Sequence, residues 1–397
     1  MNAPTAPRSR WGRGVANALV NAGLVFASII ICLLVLETGA RVYRRTRPPQ
    51  PGSRYSFRLR QPPPYRGAWY FCRDFVDETF RQPNGWFIRP GTRLLVPGDF
   101  RGRYINIEGG QRRTTDAPAS ALHRVFVIGG SAIYGAEVPD SETIPSHLQR
   151  LLNAGRPGYW RVENYGYVTV NSGQQLELLR TLPVAAGDLV IFEDGVNDVV
   201  EGVYNANPRG WMAGENRQAL ANLDFLKNLL VRVNAKYLLT RLQDSSALVT
   251  VLGNVVNRRN LRPKPHLLDG AQVAALARET AAVFADNLAE SARFTAARGA
   301  RFVHFLQPQI YAGHPRTAYE QAVVDNFYVN PNGLETAFLA GYPALREAMA
   351  RLPGVTSVDL SAELDARSAG EEFYLDFCHV NHRANARIAA AMVKALP

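Results

Sequence analysis

Short apolar segments alternate with amphipathic ones from residue 123 to the end of the chain. The apolar segments are rich in β-branched and aromatic residues and end in glycine or polar residues, as buried parallel strands do. The segments between them have apolar residues at helical spacing. Strands are predicted at 124–128, 160–165, 188–192, 301–306 and 355–360, and helices at 144–152, 174–182 and 271–298.

This alternation predicts an α/β fold: a three-layer α/β/α sandwich whose central parallel sheet is covered by helices on both faces. Ligands of such sheets collect at the carboxyl ends of the strands. Ser131, Gly166 and Asn197 each follow a predicted strand. The three residues are therefore expected to lie along one edge of the sheet.

An apolar segment of about 22 residues covers positions 15–36 and carries no charge before Glu37. That length is sufficient to cross a hydrocarbon core of roughly 30 Å. The alternative is a cleaved signal peptide, but those have apolar regions of about 7–15 residues. The only cleavage-like sequence is Thr38-Gly39-Ala40, so an uncleaved transmembrane anchor is expected. Arginines flank both ends of the segment, and charge alone leaves its orientation undecided.

The net charge of +11 comes from the N-terminal third of the 397-residue chain. Residues 1–120 contain 19 Arg, no Lys and 7 acidic residues, which gives +12 and leaves −1 for the rest. Beside an apolar span, this charge suits an anionic membrane surface. No zinc-finger spacing or RNA-binding motif supports a nucleic-acid partner.

Composition divides the chain into a basic tail (1–14), the anchor (15–37), a tether rich in Pro and Arg (38–65), an arm packed on the main domain (66–122) and the main domain itself (123–397). Residues 199–270 interrupt the strand–helix alternation as a helical insertion. Within it, 225–252 mixes apolar and basic residues at helical spacing. Surface packing is the ordinary explanation of that pattern. A lid or a membrane-surface helix is the alternative.

Four residues in three separated blocks provide the groups that acyl transfer requires. Ser131 follows two glycines at a predicted turn between strand and helix, which exposes its hydroxyl as a nucleophile. Asp376 and His379 are three positions apart, so the carboxylate can hold the imidazole through one ring nitrogen. His382 is the competing base, but only His379 has this carboxylate spacing. Asn197 offers a side-chain amide to an oxyanion.

Of the three cysteines, Cys32 lies within the apolar span, and Cys72 and Cys378 lie outside it. Their spacing matches no metal-ligand pattern. Two unpaired thiols are the simplest expectation. In an oxidising compartment, a disulfide that ties the arm beside His379 is the alternative.

In their order, these blocks resemble those of the SGNH (GDSL-like) hydrolase superfamily, over roughly residues 123–397. Gly129-Gly130-Ser131 matches the nucleophile block, Gly195-Val196-Asn197-Asp198 the Gly-x-Asn-Asp block, and Asp376-Phe377-Cys378-His379 the Asp-x-x-His block. The resemblance implies a flavodoxin-like fold. It also implies an oxyanion hole built from the Ser131 amide, Asn197 and a backbone amide of a glycine block.

That glycine block reads Asn164-Tyr165-Gly166-Tyr167-Val168-Thr169, with Thr169 where the family often has a second glycine. Either Gly166 or Thr169 is a candidate donor. Asp198 is expected to be a scaffolding group. No cofactor and no metal are implied.

The resemblance and the residues together predict a membrane-anchored serine esterase or deacylase acting on an ester-bearing lipid or an O-acylated glycan. Its catalytic domain is expected to be periplasmic or extracellular. The same triad would serve an O-acyltransferase that modifies envelope polysaccharides with a partner membrane acyltransferase. A non-catalytic anchored binding protein is a third interpretation. The aromatic residues Trp69, Tyr70, Tyr134 and Trp211 suit sugar stacking or buried packing equally.

Overall fold

The computed structural model describes residues 10–45, 62–81, 86–92, 94–209, 242, 246–256, 269–311, 315–326, 330, 332–368 and 370–396. The first element is the long helix α1 (Arg10–Arg45). A 25-residue part of it, Leu19–Tyr43, is long and apolar enough to cross a membrane. The apolar side chains of that part are largely exposed.

Five parallel strands form the centre of the main sheet: β6 (His123–Gly129), β7 (Trp160–Gly166), β8 (Leu189–Asp194), β9 (Arg301–Leu306) and β10 (Thr356–Asp359). Their spatial order is β7-β6-β8-β9-β10. Numbered by their order in the chain, these strands run 2-1-3-4-5, which is the flavodoxin-like order. The predicted fold class is confirmed.

The strand order determines on which face of the sheet each crossover helix lies. The chain moves from β6 to β7 in one direction along the sheet and from β7 back past β6 to β8 in the other. Right-handed crossovers therefore put α4 (Ile144–Asn153) on one face and α5 (Ser172–Leu179) on the opposite face. The long helix α8 (Gly270–Ala296) and α10 (Leu334–Ala350) pack on the α5 side, and the last helix, α11 (His382–Ala395), packs on α4.

Between these helices lie three short ones: α3 (Ser131–Tyr134), α6 (Val196–Val199) and α9 (Ala318–Val324). A π-helical turn, Val200–Tyr204, continues α6. In the insertion, the described part includes the apolar helix α7 (Ala247–Val256). Most of the predicted 225–252 pattern lies outside the described residues.

The arm extends the central sheet. After a 3-10 turn at Pro63–Tyr65 and helix α2 (Arg73–Arg81), a hairpin of β1 (Trp86–Ile88) and β2 (Leu95–Pro97) forms a separate two-stranded sheet. Then β3 (Phe100–Arg101), β4 (Asn106–Glu108) and β5 (Gln111–Arg112) pair antiparallel, and β5 joins β7 at Arg112 and Asn164. The whole sheet is therefore mixed, with an antiparallel edge on a parallel centre.

A buried arginine fixes this edge to the loop after α3. The Arg112 side chain is fully buried and pairs with Asp140 at 2.9 Å. Its remaining donors reach the carbonyl oxygens of Tyr134, Gly135 and Val138. A buried guanidinium is tolerated only when it is paired and hydrogen-bonded, as it is here.

The last helix, α11, begins after the block that contains Asp376 and His379. The helix begins at His382, where Asn381 caps it by accepting a hydrogen bond from the Ala384 amide. Residues 376–379 lie in the preceding loop. Asparagine at an N-cap accepts from the third helical amide, so the start of the helix is fixed by Asn381 and not by Asp376.

Candidate active site

Ser131 is the first residue of α3, directly after the buried strand β6. Its amide has no acceptor inside the helix, because the first amides of a helix never do. The preceding Gly130 lies against Asn197, since a β-carbon at Gly130 would be 2.7 Å from the Asn197 side-chain nitrogen. Strand, glycine and helix thus present the hydroxyl and a free backbone amide at the same edge of the sheet.

His379 stands between Ser131 and Asp376. Its Nε2 lies 2.7 Å from the Ser131 Oγ. Its Nδ1 lies 2.9 Å and 2.7 Å from the two carboxylate oxygens of Asp376. With Nδ1–H donating to Asp376, Nε2 is left to accept the hydroxyl proton. The structure therefore brings together the nucleophile, base and orienting acid predicted from sequence.

Backbone hydrogen bonds hold the loop that carries the acid and base. The Asp376 carboxylate also accepts the amides of Cys378 at 3.0 Å and His379 at 2.8 Å. The loop closes on itself through the Leu375 amide, which donates to the His379 carbonyl oxygen at 2.8 Å. These backbone hydrogen bonds hold the Asp376 carboxylate in place in addition to its contact with the His379 imidazole. His382, the competing base, contacts the Tyr70 hydroxyl at 3.3 Å instead.

Asn197 lies at the second position of α6, close to Gly130. Its side-chain nitrogen donates one hydrogen to the Val170 carbonyl oxygen at 2.9 Å. A primary amide carries two N–H donors, so this bond orients the group and leaves the second donor available. The arrangement fits an oxyanion donor held in place before substrate arrives.

The glycine block contains two different roles. The Gly166 amide donates to the Asn164 side-chain oxygen at 2.9 Å, and the Asn164 side-chain nitrogen donates to the Ile133 carbonyl oxygen at 2.9 Å. Gly166 is therefore committed to joining β7 to α3. Thr169 has φ +64°, the left-handed conformation that normally favours glycine. The Thr169 backbone therefore has the conformation that a glycine would adopt at this position. Because the Gly166 amide is already bonded to Asn164, Thr169 is the better candidate for the second backbone donor to the oxyanion.

Asp198 anchors a buried polar network beneath the site. Its carboxylate accepts the Ser172 hydroxyl at 2.5 Å and the Ser172 amide at 3.1 Å. The Asn287 side chain donates to the same hydroxyl at 3.0 Å. Burial, with the nearby Asp194 charge, raises the pKa of Asp198 to about 7. This agrees with the scaffolding role expected of Asp198.

The raised pKa of Asp198 predicts a pH-dependent stability. The folded protein holds this proton up to about pH 7, whereas the unfolded chain releases it near the ordinary value of about 3.9. The stabilisation is therefore complete below about pH 4 and is lost as the pH rises to about 7. Asp198→Asn mimics the protonated form. Thermal unfolding of the detergent-solubilised chain should show wild type losing stability relative to this variant between about pH 4 and about pH 7, the window between the unfolded and the folded pKa of Asp198.

The matched control is Asp116→Asn, at a side chain that is 59% exposed. Its melting temperature should follow that of wild type across the same pH range. If the melting temperatures of Asp198→Asn and wild type changed in parallel with pH, the raised pKa of Asp198 would be contradicted.

The last residues of the tether, Pro64 and Tyr65, support the histidine loop and the chain beside it, which the sequence did not predict. The Asn381 side-chain nitrogen donates to the carbonyl oxygens of Pro64 at 2.6 Å and Glu372 at 3.0 Å. The Tyr65 hydroxyl donates to the Glu137 carbonyl oxygen at 2.9 Å. An asparagine just before a helix signals a cap, but nothing local indicates a partner so far away in the chain.

No disulfide joins Cys72 and Cys378, of which the first is exposed and the second buried. Cys378 lies beside the triad, with its Sγ 3.8 Å from His379 Nδ1. The ligand atoms of Asp376, Cys378 and His379 all lie within 4.8 Å of one another. Such a group can hold a metal ion in principle, but the carboxylate and the imidazole already bind each other here.

The fold and the residues at its edge define a flavodoxin-like α/β protein with a serine–histidine–aspartate triad. No protein-family model matches the chain, and no curated protein sequence matches it. Solved structures similar to it include a gut microbial diltiazem-metabolizing enzyme, an extracellular lipase from Streptomyces rimosus and phospholipase A1 from Streptomyces albidoflavus NA297. Their identities to this chain are 13%, 14% and 12%, and their TM-scores are 0.37, 0.37 and 0.38.

Each match covers 70% of this chain. The chain spans about half (48%) of the diltiazem-metabolizing enzyme and 100% of the lipase and of the phospholipase. Likenesses this distant assign no activity to this chain. Its chemistry is inferred instead from its own strand order and triad geometry.

Proposed function

We propose that this protein is a membrane-anchored serine esterase of the SGNH type, working through an acyl-serine intermediate. The observation that carries the proposal is the continuous hydrogen-bonded series from Ser131 to His379 to Asp376, with distances of 2.7 Å at each end. A serine is activated when its hydroxyl is hydrogen-bonded to a base and a third group orients that base. An isolated Asp-x-x-His pair would not support the same conclusion.

The proposed reaction has two halves. The Ser131 Oγ attacks the ester carbonyl while His379 Nε2 takes the hydroxyl proton and Asp376 stabilises the imidazolium. The oxyanion is held by the Ser131 amide, the free Asn197 N–H and the Thr169 amide. His379 then returns the proton to the departing alcohol. Water, deprotonated by the same nitrogen, releases the acid and restores the hydroxyl.

The proposed location follows from α1. A 25-residue apolar helix with exposed side chains, beside a basic N-terminal third, suits an uncleaved anchor in a membrane with anionic lipids. A catalytic domain held in this way would meet ester-bearing lipids or O-acylated glycans at the membrane surface. We place that domain on the periplasmic or extracellular side.

A fluorophosphonate probe tests the proposal directly. Detergent-solubilised full chain is incubated with the probe, digested and analysed by mass spectrometry. The adduct is expected on the peptide that contains Ser131, because only a serine activated by a neighbouring base reacts at neutral pH. The variant His379→Ala should lose the adduct, whereas His147→Ala, at a histidine of α4 that pairs with Glu142, should keep it. A folded wild-type protein that ignores the probe would refute the proposal.

A further inference from the structure

Helix α7 is an apolar helix that does not belong to the core of the catalytic domain. Its sequence, ALVTVLGNVV, contains no charged residue. It packs on α1 and makes no comparable contact with any other element that the structure describes. Ala247 is buried, yet it belongs to neither hydrophobic core, and Leu252 is 54% exposed. An uncharged and mostly apolar helix is typical of a protein core or a membrane, and α7 belongs to neither hydrophobic core among the described residues.

Glu37 joins α7 to α1. Its carboxylate accepts the Ser246 hydroxyl at 2.7 Å, the Ala247 amide at 2.9 Å and the Leu248 amide at 3.0 Å. Both amides are at the start of α7, where helical N–H groups lack partners and the helix dipole is positive. We call this contact between Glu37 and residues 246–248 the anchor clasp.

The clasp lies within the stretch of α1 that can cross a membrane. A carboxylate in such a segment is costly unless it is paired and hydrogen-bonded. Here three donors come from the start of α7 and a fourth, the Arg41 guanidinium, comes from one turn later in α1 at 2.8 Å. Ala40, on the same side of α1 as Glu37, is the one buried side chain of the span among those described. The acidic residue of the span is thus matched by a distant segment of the same chain.

We propose that α7 is a second membrane-contacting element, embedded in the apolar edge of a phospholipid bilayer beside α1 and held there by the anchor clasp. The proposal rests on α1 being an uncleaved anchor. The main domain is then attached to the bilayer both through its N-terminus and through the insertion. Cleavage after Ala40 would separate Glu37 from α7 and so remove the clasp.

Lipid quenching of site-specific probes tests this in the full chain. With Cys32, Cys72 and Cys378 replaced by Ser, single cysteines are introduced as Leu252→Cys, Leu33→Cys and Leu339→Cys. Each is labelled with an environment-sensitive fluorophore in phosphatidylcholine–phosphatidylglycerol vesicles that contain brominated lipid. Leu339 on α10 is the matched control because it is 53% exposed, almost the same as Leu252 at 54%.

Brominated lipid is expected to quench the probes at positions 252 and 33 several-fold more than the probe at 339. Quenching at 33 without quenching at 252 would overturn the inference while leaving the anchor intact. No quenching at either position would refute the anchor itself, and with it the inference.

The clasp is tested by Glu37→Ala against the conservative Glu37→Gln. Glu37→Ala should reduce the quenching at position 252 several-fold and leave position 33 unchanged, because α7 loses its cap while α1 stays inserted. Glu37→Gln should keep part of the quenching, since its amide oxygen still accepts. Turnover of a small soluble ester should be the same in both variants. Undiminished quenching at 252 in Glu37→Ala would show that the clasp does not hold α7 in the bilayer.

Discussion

Ser131→Ala is expected to reduce kcat for a small acetyl ester by about 10⁴-fold or more, because loss of a triad nucleophile removes the covalent route and leaves only oxyanion and binding effects. The melting temperature should change little, since the Ser131 side chain is only partly buried and its hydroxyl contacts the side chain of His379. The measurement is steady-state turnover and thermal unfolding of the detergent-solubilised chain.

The matched control for this loss is Ser120→Ala, at an exposed serine in the turn before β6. It should keep wild-type kcat and KM. Turnover by Ser131→Ala equal to that of wild type, with the fold retained, would show that another group is the nucleophile.

Gly166→Ala is expected to cause the second largest loss, in stability and activity together. A β-carbon there would lie 2.1 Å from the Tyr134 amide nitrogen and 2.6 Å from the Ile133 carbonyl carbon. Both atoms are backbone atoms of α3, so the helix that begins with Ser131 must move. Overpacking of this kind costs roughly 1–3 kcal/mol or more in unfolding free energy. Misplacing a catalytic group by about 1 Å can cost about 10²-fold in rate.

Gly155→Ala is the control for Gly166→Ala, because nothing lies within 4 Å of a β-carbon placed there. Thermal unfolding and kcat are measured for both variants. Gly155→Ala should match wild type in both. A Gly166→Ala protein with unchanged melting temperature and unchanged kcat would mean that β7 and α3 are not in such close contact.

The strands β6, β7, β8 and β9 are predictable from sequence because most of their residues are buried on both faces of the sheet. A strand that is buried on both faces needs a nearly continuous run of apolar residues. Segments such as 124–128 and 301–306 show that run directly in the sequence. The observed strands His123–Gly129 and Arg301–Leu306 match those predictions closely. The edge strands β3, β4 and β5 are two or three residues long. Segments of that length are too short to show an alternation of apolar and polar residues, so their addition to the sheet could not be predicted.

Some residues of the candidate site could likewise be predicted from the sequence, and others could not. Ser131, Asn197, Asp376 and His379 are readable because each has a fixed spacing from a strand end or from a partner. The role of Gly166 is not readable, because it depends on the Asn164 side chain accepting its amide. The cap that Glu37 provides for α7 joins positions 209 to 211 residues apart. Contacts that distant leave no local pattern in the sequence.

The hydrogen bond from Asn381 to Pro64 joins positions 317 apart and has a consequence for biosynthesis. The ribosome makes Pro64 and Ser131 well before it makes His379 and Asn381. A growing chain therefore contains its proposed nucleophile, Ser131, long before its proposed base, His379. On the proposed function, Ser131 of a nascent chain stays without its base, and so unreactive towards esters, until residues 376–379 have been made.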